Sequence, residues 1–184
     1  MQLDYHPLDV SQETLQIVRY PHPLLARRAE PVADIDEGIR QLAARMIECM
    51  YAAEGVGLAA PQVGRGIRLF VADPRESDSP DPTVFVNPVL EISGDLVPFE
   101  EGCLSIPDVR VTVRRPQGAR ITATDLDGES FTLESDDFPA RVWQHEFDHL
   151  EGVLIVDRMS PRDRLAHRRT LKEMRAEFEA GGEV

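Results

Sequence analysis

Residues 144–152 read QHEFDHLEG. His145 and His149 are four apart, with Glu146 beside the first. On a helix that spacing is about one turn, so both imidazoles point to one side. This arrangement holds a metal ion, and a glutamate next to it is poised to move protons. The flanks agree with a helix. "DDFPARVW" (136–143) opens with aspartates suited to capping and an early proline, and Gly152 closes the run. A catalytic metal site of this kind takes three protein ligands and keeps one position open. Two are in this stretch, and the third must come from elsewhere.

A third histidine three residues past Gly152 would complete one zinc-protease pattern, but that position is Ile155. Other proteases take a carboxylate from a following helix. Glu173 and Glu177 lie downstream, in a basic segment that reads as a solvated helix. His6 sits in an irregular stretch, His22 between prolines and His167 among arginines. Cys49 falls in the middle of a helix near its apolar face and reads as a packed small hydrophobe. Cys103 sits in "FEEGCLSIPD" (99–108), an irregular turn entering a strand, where a thiolate can be exposed and the backbone can bend around an ion. Alone, it reads slightly better as a buried structural cysteine. Beside a histidine pair that lacks a partner, it becomes the favoured ligand.

The rest of the chain points to an α+β fold. "DIDEGIRQLAARMIECMYAAEG" (34–55) carries apolar residues at helical spacing, with aspartates as caps and Gly55 as a stop. "GVGLAAPQVG" (55–64) is a small-residue loop. "IRLFVA" (67–72), "TVFVNPVL" (83–90), "VRVTVRR" (109–115) and "ARITATD" (119–125) read as strands. "DLDG" (125–128) is a turn that pairs the last of these with "SFTLES" (130–135). A final helix is expected over 160–180. Strands and helices do not alternate, so the sheets are antiparallel or mixed, packed around a central metal-binding helix with an N-terminal and a C-terminal helix. Residues 1–184 read as a single catalytic domain, with 1–14 an irregular extension.

Bulk properties exclude several classes. The net charge of −13 means that the molecule as a whole does not seek nucleic acid, and DNA is not expected as a partner. No apolar run reaches the roughly 18–20 residues that span a bilayer. The first residues lack a basic start and apolar stretch, which makes a cytoplasmic setting the expectation. Two cysteines are too few for a disulfide scaffold.

Three segments, "GVGLAAPQ" (55–62), "EGCLS" (101–105) and "QHEFDHLEG" (144–152), occur in order. Together they resemble the three signature motifs of the peptide deformylases, enzymes that remove the N-terminal formyl group from nascent bacterial and organellar proteins. "IVRYPHPLL" (17–25) and "GVLIVDRMS" (152–160) are also similar to that family, so the resemblance spans roughly Leu15 to Ser160. The departures are the first fourteen residues, "PRESDSPDP" (74–82) and the bulky Trp143.

On the residue reading, Cys103, His145 and His149 hold one divalent ion that makes its bound water a nucleophile, and the resemblance implies that this hydroxide attacks a formyl carbon. Glu146 acts as general base and then general acid. The resemblance implies the rest. Iron(II) is the physiological ion, with zinc, nickel or cobalt able to replace it. The Gln62 amide and the Leu104 backbone N–H serve the developing oxyanion. Gly55, Val56 and Gly57 pair with the peptide backbone. Val56, Phe99, Phe138 and Val142 form the methionine pocket, beside Glu101 and Arg141. The substrates implied are N-formylmethionyl nascent peptides. Between Arg158 and Arg175 the chain also turns basic, with only Asp163 and Glu173 opposing Arg158, Arg162, Arg164, Arg168, Arg169, Lys172 and Arg175. That stretch reads as a solvated face or as a surface that docks on ribosomal RNA.

Overall fold

The computed structural model describes residues 15–181, so the extension expected at 1–14 lies outside the described residues. Asp36 opens the first helix, α1 (Glu37–Ala52), by accepting the Ile39 N–H at 2.9 Å. Its apolar stripe, Ile39, Leu42, Met46 and Met50, is buried. The stop differs from the sequence reading. The helix ends at Ala52, and Glu54 rather than Gly55 takes the left-handed conformation, at φ 56°. Gly55 N–H then bonds back to the Met50 carbonyl at 2.9 Å.

The strands form one sheet in chain order: β1 (Gly57–Ala59), β2 (Leu69–Ala72), β3 (Thr83–Cys103), β4 (Ile106–Thr124) and β5 (Ser130–Ser135). Every pairing between them is antiparallel. Two strands are far longer than the sequence suggests. "TVFVNPVL" only begins β3, and "VRVTVRR" and "ARITATD" are two parts of β4. The long ladder between them is interrupted only by register shifts between Val86 and Val89, Ser93 and Leu96, and Gly102 and Cys103. Gly94, at φ 80°, sits in the second. The β3–β4 hairpin closes where Cys103 pairs with Ile106, which leaves Leu104 and Ser105 as its turn.

Helix α2 (Phe138–Leu150) packs on β4, β1 and β2. Asp137 caps it by accepting the Phe138 N–H at 2.8 Å, and Pro139 occupies its first turn. Its apolar side meets a core that includes Phe70, Phe85 and Ile121. Trp143 is part of that core, 6.4 Å from Phe85, which gives its bulk a packing role. Gly152 follows the helix at φ 71°. A Cβ there would lie 2.8 Å from the Ala26 carbonyl carbon, so two backbones touch at this point.

The C-terminal helix is broken. Ser160 caps α3 (Pro161–Ala166), His167 interrupts, and α4 (Arg168–Glu179) follows. Neither piece fully buries a residue. His167 Nε2 lies 2.9 Å from the Arg110 carbonyl oxygen, which draws the break toward the hairpin. No helix among the described residues is long and apolar enough to cross a membrane.

Candidate active site

Three elements converge on one point. The β3–β4 turn presents Cys103, α2 presents His145 and His149, and a single 3-10 turn at Ala60–Val63 presents Gln62. The ligand atoms of Cys103, His145 and His149 all lie within 4.8 Å of one another. Cys103 Sγ is 3.3 Å from His149 Nε2. One soft sulfur and two imidazoles suit a divalent transition metal, so the residues fit a single ion. Cys103 is 9% exposed, so it is enclosed at the turn and still reaches the cavity wall.

The two imidazoles are supported differently: His149 Nδ1 is buried without a hydrogen-bond partner among the described residues, whereas His145 is held from behind. His145 Nδ1 lies 3.2 Å from Glu101 Oε2. If Nδ1 carries the proton and donates it to the carboxylate, Nε2 keeps its lone pair for a cation. Glu101 also accepts from Arg115 Nε at 2.7 Å, Arg115 NH2 at 2.9 Å and Arg141 NH1 at 2.8 Å. Burial alone would raise the Glu101 pKa, but these bonds hold it far below the ordinary carboxylate range. Burial also opposes charge on His145, yet bonds to Cys103 and Glu101 keep its pKa well above the usual value. A bound cation would take the place of that proton. For His149, burial and then His145 and Arg115 push the other way.

Gln62 is 2% exposed, and its amide is held in one orientation. Its Oε1 accepts the Ala59 N–H at 2.9 Å, which fixes Nε2 toward Ser105 Oγ at 3.2 Å and Cys103 Sγ at 3.6 Å. Glu146 is the opposite. It is 4% exposed, and its Oε2 has no hydrogen-bond partner among the described residues. Burial pushes its pKa up to about 7, against the pull of His145 and Arg115. A dication in the adjacent site would bring it back down. Glu146 packs on Gly57, where a Cβ would sit 2.3 Å from Glu146 Oε1. The glycine at 57 therefore makes room for this carboxylate, a reason distinct from the backbone pairing with a peptide that the resemblance implies.

A model of the polypeptide deformylase family matches residues 14–165. The chain belongs to that family. It is 48% identical over 148 residues to a peptide deformylase of Acinetobacter baumannii, covering 80% of this chain and 84% of that one. It is 43% identical over 175 residues to the chloroplastic/mitochondrial peptide deformylase 1B of Arabidopsis thaliana. There the match covers 94% of this chain but 62% of the relative's length. A crystal structure of Arabidopsis thaliana peptide deformylase 1B superposes with a TM-score of 0.85 at 40% identity, covering 90% of this chain and 92% of that one. The Thermotoga maritima peptide deformylase structure gives 0.76 at 42% identity, covering 82% and 100%.

In this deformylase-family chain Cys103 and His145 line a cavity of about 800 Å³, with His149 buried behind them. Val56, Phe99, Phe138 and Val142 all line it, as do Gly55, Gly57 and Leu104. The Phe99 and Phe138 rings are 6.0 Å apart, and the Arg141 guanidinium lies 5.2 Å above Phe99. Glu101 and Arg141 also reach the cavity, but their bonds run to each other, to Arg115, to His145 and, from Arg141, to the Val97 and Val113 carbonyls, so they form a supporting wall.

The sequence reading passed over Ser105, Arg115 and Asp148. Arg115 is 2% exposed and also donates to Asp148 Oδ2 at 2.7 Å. A signal for it existed: Val109, Val111 and Val113 are buried, and strand alternation puts residue 115 on that same side. Asp148 lies three residues past His145 on α2, spacing that faces it the same way.

Proposed function

We propose that this chain, acting as one catalytic domain over 1–184, removes the N-formyl group from the N-terminal methionine of newly synthesised proteins. One divalent ion on Cys103, His145 and His149 serves the reaction, with iron(II) as the physiological ion and zinc, nickel or cobalt as alternatives. The observation that carries the reading is the convergence of those three donors beside a buried carboxylate with an unengaged oxygen, at the wall of a cavity large enough for a peptide terminus. When bound, the ion supplies Lewis acidity and makes water acidic enough to ionise near neutral pH.

The protein groups do the rest. Glu146 takes a proton from the attacking water and hands it to the departing amine. Water oxygen joins the formyl carbon, the carbon–nitrogen bond breaks, and formate and a free amino terminus leave. Negative charge grows on the formyl oxygen, where the Gln62 amide and the Leu104 N–H donate; such donors contribute about 3–4 kcal/mol. Strand β1 ends the sheet, so its free edge, with Gly55, Val56 and Gly57, can take an extended peptide as a further strand. The methionine side chain enters among Val56, Phe99, Phe138 and Val142.

Purified protein given formyl-Met-Ala-Ser should release free amine, lose that activity to a chelator and regain it with added metal under reductant. No amine release with metal supplied sinks the proposal. An endopeptidase using a downstream glutamate instead predicts that Cys103→Ser keeps metal and activity. Glu173 is engaged with Arg169 at 2.8 Å on α4, which speaks against that rival.

A cytoplasmic setting and docking on ribosomal RNA belong to the same proposal. Helices α3 and α4 support docking by leaving Arg162, Arg168 and Lys172 exposed. Loss of ribosome co-sedimentation on truncation at Ser160 is the expected result, and unchanged sedimentation ends the idea.

A further inference from the structure

The hydrogen bonds behind His145 continue to the surface. Glu101 holds His145 Nδ1, and the Arg115 guanidinium forks onto both Glu101 oxygens. The remaining arm of Arg115, NH1, reaches Asp148 Oδ2 at 2.7 Å and the Gln144 carbonyl at 3.4 Å. From the outer side Asp148 is gripped by Arg158, with Nε at 2.6 Å from Oδ2 and NH2 on Oδ1. The Arg115 side chain is 3% exposed, Asp148 13% and Arg158 38%. Arg158 lies beyond α2, just before Ser160 caps α3. The chain of contacts thus runs from the foot of the C-terminal helices to a ligand imidazole.

We propose that Arg158 is a positioning residue for His145, acting through Asp148, Arg115 and Glu101. The inference rests on the metal-site reading above. A guanidinium is rigid and planar, so its arms cannot be re-aimed independently. With Arg158 holding both oxygens of Asp148, that carboxylate stays where a single Arg115 arm can meet it. The other two arms are then free to grip Glu101 squarely. Without Arg158, Asp148 has only Arg115 as a cationic partner among the described residues. Arg115 can follow a shifting Asp148 only by loosening its fork on Glu101. Glu101 then no longer fixes the His145 ring. An ordinary exposed ion pair contributes little. This one differs because its carboxylate is largely enclosed and its far partner is buried.

The test is cobalt(II) affinity, followed by thiolate-to-cobalt absorption in the full-length chain, together with thermal unfolding of the metal-free protein. Outer partners of metal ligands typically change affinity by about 10–100-fold. Arg158→Ala should weaken cobalt binding by about tenfold, and Arg158→Lys, which keeps the charge but not the fork, by less. Arg169→Ala removes an exposed pair on α4 and should leave affinity unchanged. Unchanged affinity in both Arg158 variants, even with a lowered unfolding temperature, overturns the proposal and leaves Arg158 a structural contact. A wild-type chain that binds no cobalt overturns the metal-site reading, and this inference with it.

Discussion

Glu101 and Glu146 are two glutamates in the wall of one cavity, 6% and 4% exposed, yet their surroundings are opposite. Two arginines and a histidine occupy both oxygens of Glu101. Glu146 has one oxygen against a glycine and the other without a partner. One is held far below the ordinary carboxylate pKa, and the other is raised to about 7. Burial alone does not set a carboxylate's character. A saturated one can only hold its neighbours in place, while an unsaturated one retains the capacity to take a proton and give it back.

The sharpest way to break this contrast is Glu146→Gln, which keeps shape and removes proton transfer. Deformylation should fall about 10²–10⁴-fold with metal content unchanged, as read from free amine and metal analysis. An intact rate would mean that the unengaged oxygen is idle. Glu101→Gln attacks the saturated partner and leaves Arg115 and Arg141 facing a neutral amide. Breaking a buried ion pair from one side costs about 3–5 kcal/mol, which urea unfolding should register. A loss below about 1 kcal/mol would show that the network adds little. Gly57→Ala tests whether the glycine exists for Glu146. Overpacking of this kind costs about 1–3 kcal/mol of stability, and because the group displaced is Glu146, kcat should fall even where the protein stays folded. Lowered stability with kcat unchanged would give the glycine a purely structural task.

The smallest effect concerns a third carboxylate. Asp73 accepts from the Tyr51 hydroxyl at 2.6 Å, well outside the donor set. Burial, then the bond and charge of Asp73, push the Tyr51 phenol up to about 12. The folded state therefore keeps that proton in a range where the unfolded chain, near pH 10, has lost it. The contribution is whole below pH 10 and disappears as pH rises through about 12. Tyr51→Phe should cost about 1 kcal/mol at pH 8, and the gap from wild type should close above pH 12. A gap that persists there would locate the stabilisation elsewhere.

Helix α2 could be read from the chain because every local signal agrees there: Asp137 as cap, Pro139 in the first turn, and His145 and His149 one turn apart. The β5 hairpin was equally plain from its Asp125–Gly128 turn. The length of β3 and β4 was hidden because Gly94 and Pro98 look like interruptions, whereas bulges and cross-strand pairing carry the ladder past them. The break at His167 has no proline or glycine to announce it. Its partner is a carbonyl fifty-seven residues away in sequence, and such long-range contacts leave no local pattern. Arg115 was obscured for a different reason: a paired arginine at a strand end looks like solvated charge unless the alternation is counted through it.

Gly152 carries one last consequence. The N-terminal segment lies directly across the exit of α2, touching backbone to backbone at Ala26 and bonding Ala29 N–H to the Leu150 carbonyl at 2.8 Å. The seat of the His149 end of that helix is thus supplied by residues 26–29. A side chain at position 152 would part these two backbones and unseat the end of the helix that carries His149.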